Sequence, residues 1–227
     1  MSSLSKRISI AWENDPPFED TDTLVIVGHT YYVDVRVKRD TGELDWAMAG
    51  VKEWVHKGSD PPKARFTPIL TSRPPFPGQT ETGDEGTFSS LPNGDTLEVG
   101  TMYDPEDGKL KAYKEIWRDL PTSGTAFILE AIDDGATEEE SPRVEKAWVA
   151  QMGGYQLMVA KLGDTTYAAR VAFKDGDQSW RTLHTVGKIE KTNLVHPVNP
   201  PDSLWKAGET IESAGRRWLV KECFTVE

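Results

Sequence analysis

A pentapeptide returns in altered form late in the chain: Gly94-Asp95-Thr96-Leu97-Glu98 is answered by Gly208-Glu209-Thr210-Ile211-Glu212. Each copy runs on, through a Gly-containing turn, to a closing segment of one chemical type, Tyr113-Lys114-Glu115-Ile116-Trp117 and then Val220-Lys221-Glu222-Cys223-Phe224. No other feature constrains the fold as much, because the rhyme predicts two related small β units in tandem. The chain has 227 residues, and halves of roughly 110 residues can each bury a working core. The short, turn-rich segment Asp119-Leu120-Pro121-Thr122-Ser123-Gly124 is the natural linker. The expected division is therefore 1–118, a linker 119–124, and 125–227.

The local periodicity is that of strands. Residues 32–38 place Val33, Val35 and Val37 on one face and Asp34, Arg36 and Lys38 on the other, the pattern of a half-buried antiparallel strand. Asp40-Thr41-Gly42 turns the chain, and Leu44, Trp46 and Met48 return on one side. Between Gly58 and Gly86 six prolines make long central strands improbable, which leaves a wandering connection with one short strand near Phe66 to Leu70. The second half reads as a meander with Gly153-Gly154 and Gly163-Asp164 connectors. Short strands at this spacing imply an all-β barrel or sandwich with few helices.

A formal charge of −11 opposes nucleic-acid phosphates and anionic membrane surfaces, so neither partner is expected. No apolar run approaches spanning length, and Ile8 to Trp12 is too short for a signal peptide, so a cytoplasmic protein is expected. Cys223, the single cysteine, reads as a packed thiol. His29, His56, His184 and His196 lack ligand spacing, and the Asp pairs sit beside Gly in turns, so no metal and no cofactor are expected. No phosphate loop, dinucleotide fingerprint or nucleophile elbow is present in the sequence.

The densest constellation is residues 45–56. In an extended chain Trp46, Met48, Trp54 and His56 share a face, with Ala47 and Ala49 opposite. That face lines an apolar cavity holding one acid-base group, or it simply fills a barrel. In the cavity reading Trp46, Met48 and Trp54 form walls, His56, Tyr103 or Tyr113 supplies a proton donor, and Trp117 with Arg118 closes the site near the junction. An exposed barrel rim could support a homodimer, although nothing in the pattern forces one.

Leu44 to Gly50, the Glu85 to Gly100 stretch, Tyr113 to Trp117 and the closing Trp205 to Phe224 segment together resemble the fungal Hri-type protein family, in order and over most of the chain. The resemblance implies two calycin-like, lipocalin-like antiparallel β-barrels in tandem. The chain is also similar, more faintly, to fungal cofactor-free cyclases of the hetero-Diels-Alderase type, which join a tropolone-derived quinone methide to a terpene. That likeness implies an apolar small-molecule substrate held in a reactive pose with little covalent chemistry from the protein. The alternative implied by the first likeness is a non-catalytic protein that binds a protein partner through a barrel rim or strand edge.

Overall fold

The computed structural model of the chain describes residues 2–55, 58, 60–76, 83–132, 144–163, 167–174, 179–187, 194, 196–213 and 215–227. Eight strands come first: β1 (Ser3–Trp12), β2 (Thr21–Val27), β3 (Tyr31–Lys38), β4 (Leu44–Trp54), β5 (Lys63–Thr71), β6 (Asp84–Ser90), β7 (Thr96–Tyr103) and β8 (Leu110–Asp119). Each pairs antiparallel with the next, and β8 returns to β1, with Trp117 opposite Arg7, to close a barrel. Seven more follow: β9 (Gly124–Ala131), β10 (Lys146–Met152), β11 (Tyr155–Lys161), β12 (Tyr167–Lys174), β13 (Trp180–Val186), β14 (Thr210–Ser213) and β15 (Arg216–Val226). They form one antiparallel sheet in the order β13-β12-β11-β10-β9-β15-β14. The all-β, two-unit architecture expected from the sequence is the one observed, with no α-helix among the described residues.

The rhyme marks the same place in both units. Gly94 and Gly208 each turn the chain with φ of 87° and 86°, a left-handed conformation that glycine adopts without steric cost. The strand that follows pairs with the closing strand of its unit, β7 with β8 and β14 with β15. The closing strand then pairs with the opening strand, β8 with β1 and β15 with β9.

β3 departs from the half-buried pattern. Val33, Val35 and Val37 do share a face, but that face lies outside the barrel, packed with Leu4, Ile26, Ala47 and Ala49 against Ile128, Trp148, Leu157, Val159 and Val171 of the second sheet. Burying each valine contributes roughly 1.5–3 kcal/mol. The charged face is buried as well, because Asp34 and Arg36 point into the closed barrel and only Lys38 is exposed. Alternation gives two faces; the second sheet covers the outer one and the barrel closes over the inner one.

The proline-rich stretch holds more strand than the sequence predicts. β5 runs nine residues and accommodates Pro68 beside a register shift, where Leu70 pairs Ala49 and Pro68 pairs Gly50 so that Ile69 is the extra residue. A bulge is where a residue without an N–H donor disturbs a ladder least. β1, β2 and β6 complete the barrel.

The units are also joined by a carboxylate. Glu222 on β15 accepts hydrogen bonds from the backbone N–H groups of His29, Thr30 and Tyr31 in the β2–β3 turn, at 2.7, 2.6 and 3.0 Å. A buried acceptor taking three donors leaves all three unsatisfied if it is removed. Glu222→Ala is expected to cost about 2 kcal/mol and to speed amide exchange at residues 29–31; unchanged exchange there would contradict the role.

Candidate ligand site

The barrel interior is charged, which corrects the expectation of an apolar cavity with one acid-base group. Arg7, its side chain 4% exposed, donates to Glu19 at 2.8 Å, to Glu115 at 2.7 Å and to Thr21 at 3.1 Å. Arg36 donates to Asp34 at 2.9 Å, and its Nη1 lies 3.7 Å from the same Glu115 oxygen that Arg7 holds. Burial works against the Arg36 charge, yet Asp34 and Glu115 outweigh it and raise its pKa. Paired in this way the guanidiniums stay charged in a closed space.

Glu98 on β7 faces the same interior, accepting from the Tyr113 hydroxyl at 2.8 Å and from Trp117 Nε1 at 2.9 Å. Burial first, and then the charge of Glu115, push its carboxyl up to about 8. Two glycines in register make the room. A Cβ on Gly86 would lie 2.1 Å from Glu98 Oε1, and one on Gly100 would lie 2.7 Å from the Tyr113 hydroxyl. No side chain fits at either position without displacing the network.

Above this network one end of the barrel opens into a cleft of about 90 Å³. Its walls include Trp46, Arg73, Phe76, Asp84, Met102 and Tyr103. Antiparallel order explains the grouping: the start of β4, the end of β5, the start of β6 and the end of β7 all lie at this mouth. Trp46 donates through Nε1 to Thr71 at 2.9 Å, and two guanidiniums sit over its ring, Arg36 at 4.8 Å and Arg73 at 4.5 Å from the centre. Arg73 is tied to Asp45 at 2.7 Å, and burial lowers its pKa despite that partner. Phe76 stacks on Tyr103 with centres 5.3 Å apart. Asp84 is pushed up to about 6 by burial, with Arg36 opposing and Glu115 adding to the rise. The cleft thus offers flat aromatic faces, fixed positive charge and a carboxyl that changes protonation near pH 6.

The residues singled out in the sequence divide among several places. Trp46 and Tyr103 line the cleft, and Met48 lies buried with Tyr32 beside Phe66. Tyr113 and Trp117 are interior, their polar atoms committed to Glu98. Trp54 lies at the far end of β4 from Trp46, 40% exposed beneath Lys52, and builds no wall of this cleft. Arg118 is not at the site either: alternation turns it outward from Trp117, where it pairs with Asp95 at 2.8 Å on the barrel exterior. His56 lies outside the described residues. Arg73 and Asp84 were missed because the prolines around them read as a connection. The charged interior had one local signal, the alternation Tyr32-Val33-Asp34-Val35-Arg36-Val37, where aromatic and charged residues share the face opposite the valines.

A family model described as Protein HRI1 matches residues 3–222. The chain is similar to a solved structure described as an uncharacterized protein, YLR301w, from Saccharomyces cerevisiae, with a TM-score of 0.75 at 18% identity over 99% of each chain. At that identity the likeness concerns the fold. No protein with a curated description matches.

Proposed function

This chain belongs to the HRI1 family, and from that premise we propose that it is a small-molecule-binding protein whose ligand enters at the mouth of the closed barrel. The observation that carries the reading is Trp46, held by Thr71 and covered by Arg36 and Arg73, beside the Phe76–Tyr103 stack and Asp84. Aromatic faces with a few fixed polar groups suit a flat, conjugated molecule carrying a hydroxyl or an enolate. Asp84 accepts a hydrogen bond from such a hydroxyl above pH 6 and can donate one below it.

Titration with tropolone, a planar hydroxylated ring, followed by tryptophan fluorescence and calorimetry, tests the proposal. Trp46→Ala is expected to weaken binding about tenfold, while Trp54→Ala, at the opposite end of the strand, leaves it as it was. Equal affinity in both variants would remove the mouth as the site.

The finer reading is a cofactor-free cyclase joining a tropolone-derived quinone methide to a terpene. Support for it comes from the aromatic walls and the donors Tyr103 and Asp84 at the same cleft. Two such partners ask for roughly 300 Å³ or more, against about 90 Å³ in this cleft, so both would react only with the mouth held wider. Incubation with both partners decides it. A rate and stereochemical ratio equal to those in buffer would end the cyclase reading and leave the binding result standing.

A further inference from the structure

The sequence Ala168-Ala169-Arg170-Val171-Ala172 sets one arginine in a run of small apolar residues in the middle of β12. Arg170 is 2% exposed. Its Nη2 donates to Gln156 Oε1 at 3.1 Å, while Nε and Nη1 are buried with no hydrogen-bond partner among the described residues. Among the described residues no carboxylate pairs with it, and burial alone lowers its pKa to about 10. The contrast with the closed barrel is direct, since Arg7 and Arg36 are buried to a similar degree and both rest against carboxylates.

A buried guanidinium without a counter-charge is among the costlier arrangements in a protein, and at neutral pH this one escapes the cost only by gaining an anion. The glutamine it touches is already engaged. Gln156 Oε1 also accepts from Val198 N at 2.9 Å, and its Nε2 donates to Val198 O at 2.8 Å and to Gln151 Oε1 at 3.4 Å. The neighbours opposite Arg170 in register are Met158 on β11 and Thr185 on β13, and the adjacent cross-strand row is Ala147, Ala160 and Ala168. One cation in such a setting matches one negative charge attached to hydrocarbon, whereas a phosphate dianion would bury a surplus charge.

We propose that Arg170 anchors a second ligand site, on the face of the β9–β15 sheet turned away from the barrel, for a carboxylate carried on an apolar molecule. It is separate from the barrel mouth and independent of what binds there.

The test uses the full chain with decanoate, decanol and inorganic phosphate as probes, by calorimetry and thermal unfolding. Decanoate is expected to bind saturably and raise the unfolding midpoint, with Arg170→Met weakening it at least about tenfold. Without ligand, Arg170→Met is itself expected to unfold about 2–4 °C higher, because the unmatched charge is gone. Arg170→Lys, which keeps the charge and loses the planar fork, is expected to fall between the two and serves if the methionine variant does not fold. Several outcomes overturn the proposal: no decanoate binding, equal affinity in both variants, decanol or phosphate binding as tightly as decanoate, or displacement of decanoate by tropolone.

Discussion

Glu115→Leu is expected to destabilise the chain by about 3–5 kcal/mol, which for a protein of this size lowers the thermal midpoint by about 6–20 °C. The reason lies in its position between Arg7 at 2.7 Å and Arg36 at 3.7 Å, all three groups nearly sealed from solvent. Leucine fills much of the same volume but leaves two guanidiniums leaning on Glu19 and Asp34 alone. Arg118→Ala is the informative control, since its ion pair with Asp95 lies on the barrel exterior and exposed pairs are screened by water and salt. Thermal and urea unfolding of both variants decide the matter, and equal shifts would mean that the interior network carries no special weight.

The second large effect is a dependence on pH. The folded-state pKa of Glu98, about 8, stands above its ordinary value of 4.5. The native state therefore binds this proton more tightly than the unfolded chain does, and stability is lost as pH rises through the interval from 4.5 to 8. Asp84 acts with the same sign between 3.8 and about 6. Glu19, lowered by the Arg7 and Thr21 hydrogen bonds that outweigh its burial, acts in the opposite sense and loses its contribution only as pH falls below about 4.5. Stability is thus expected to peak near pH 4 to 4.5 and to decline toward pH 8 by something on the order of 4 kcal/mol. Glu98→Gln, which cannot ionise, should flatten the decline. An identical slope in the variant, or a flat profile in the unaltered chain, would show that Glu98 is not the titrating group.

Much of the architecture was legible because repetition and alternation are local signals. The recurrence of Gly94 to Glu98 at Gly208 to Glu212 located equivalent strands in both units, and alternation correctly set Trp46 and Met48 on one face of β4 and Ala47 and Ala49 on the other. Alternation does not say which face meets which neighbour. For β3 the apolar face met the other unit and the charged face turned inward, an arrangement stable only because Arg7, Asp34, Arg36 and Glu115 come together from three strands and compensate one another. Such pairing is non-local, and no window of sequence contains it. The cleft was half visible for the same reason: Trp46 and Tyr103 are large and stand out, whereas Asp84 matters only because closure brings the start of β6 to the mouth. Arg170 carried the clearest unused signal, a charge with only small apolar neighbours on either side.

The shared wall between the units also ties each half to the presence of the other. A free-standing barrel keeps water on its outside, but here Val33, Val35, Val37, Ala47 and Ala49 have given that outside over to Trp148, Leu157 and Val159. Each half has become part of the other's solvent. Changes in either half that suit the other no longer suit water, so neither half can change its outer face without regard to its neighbour.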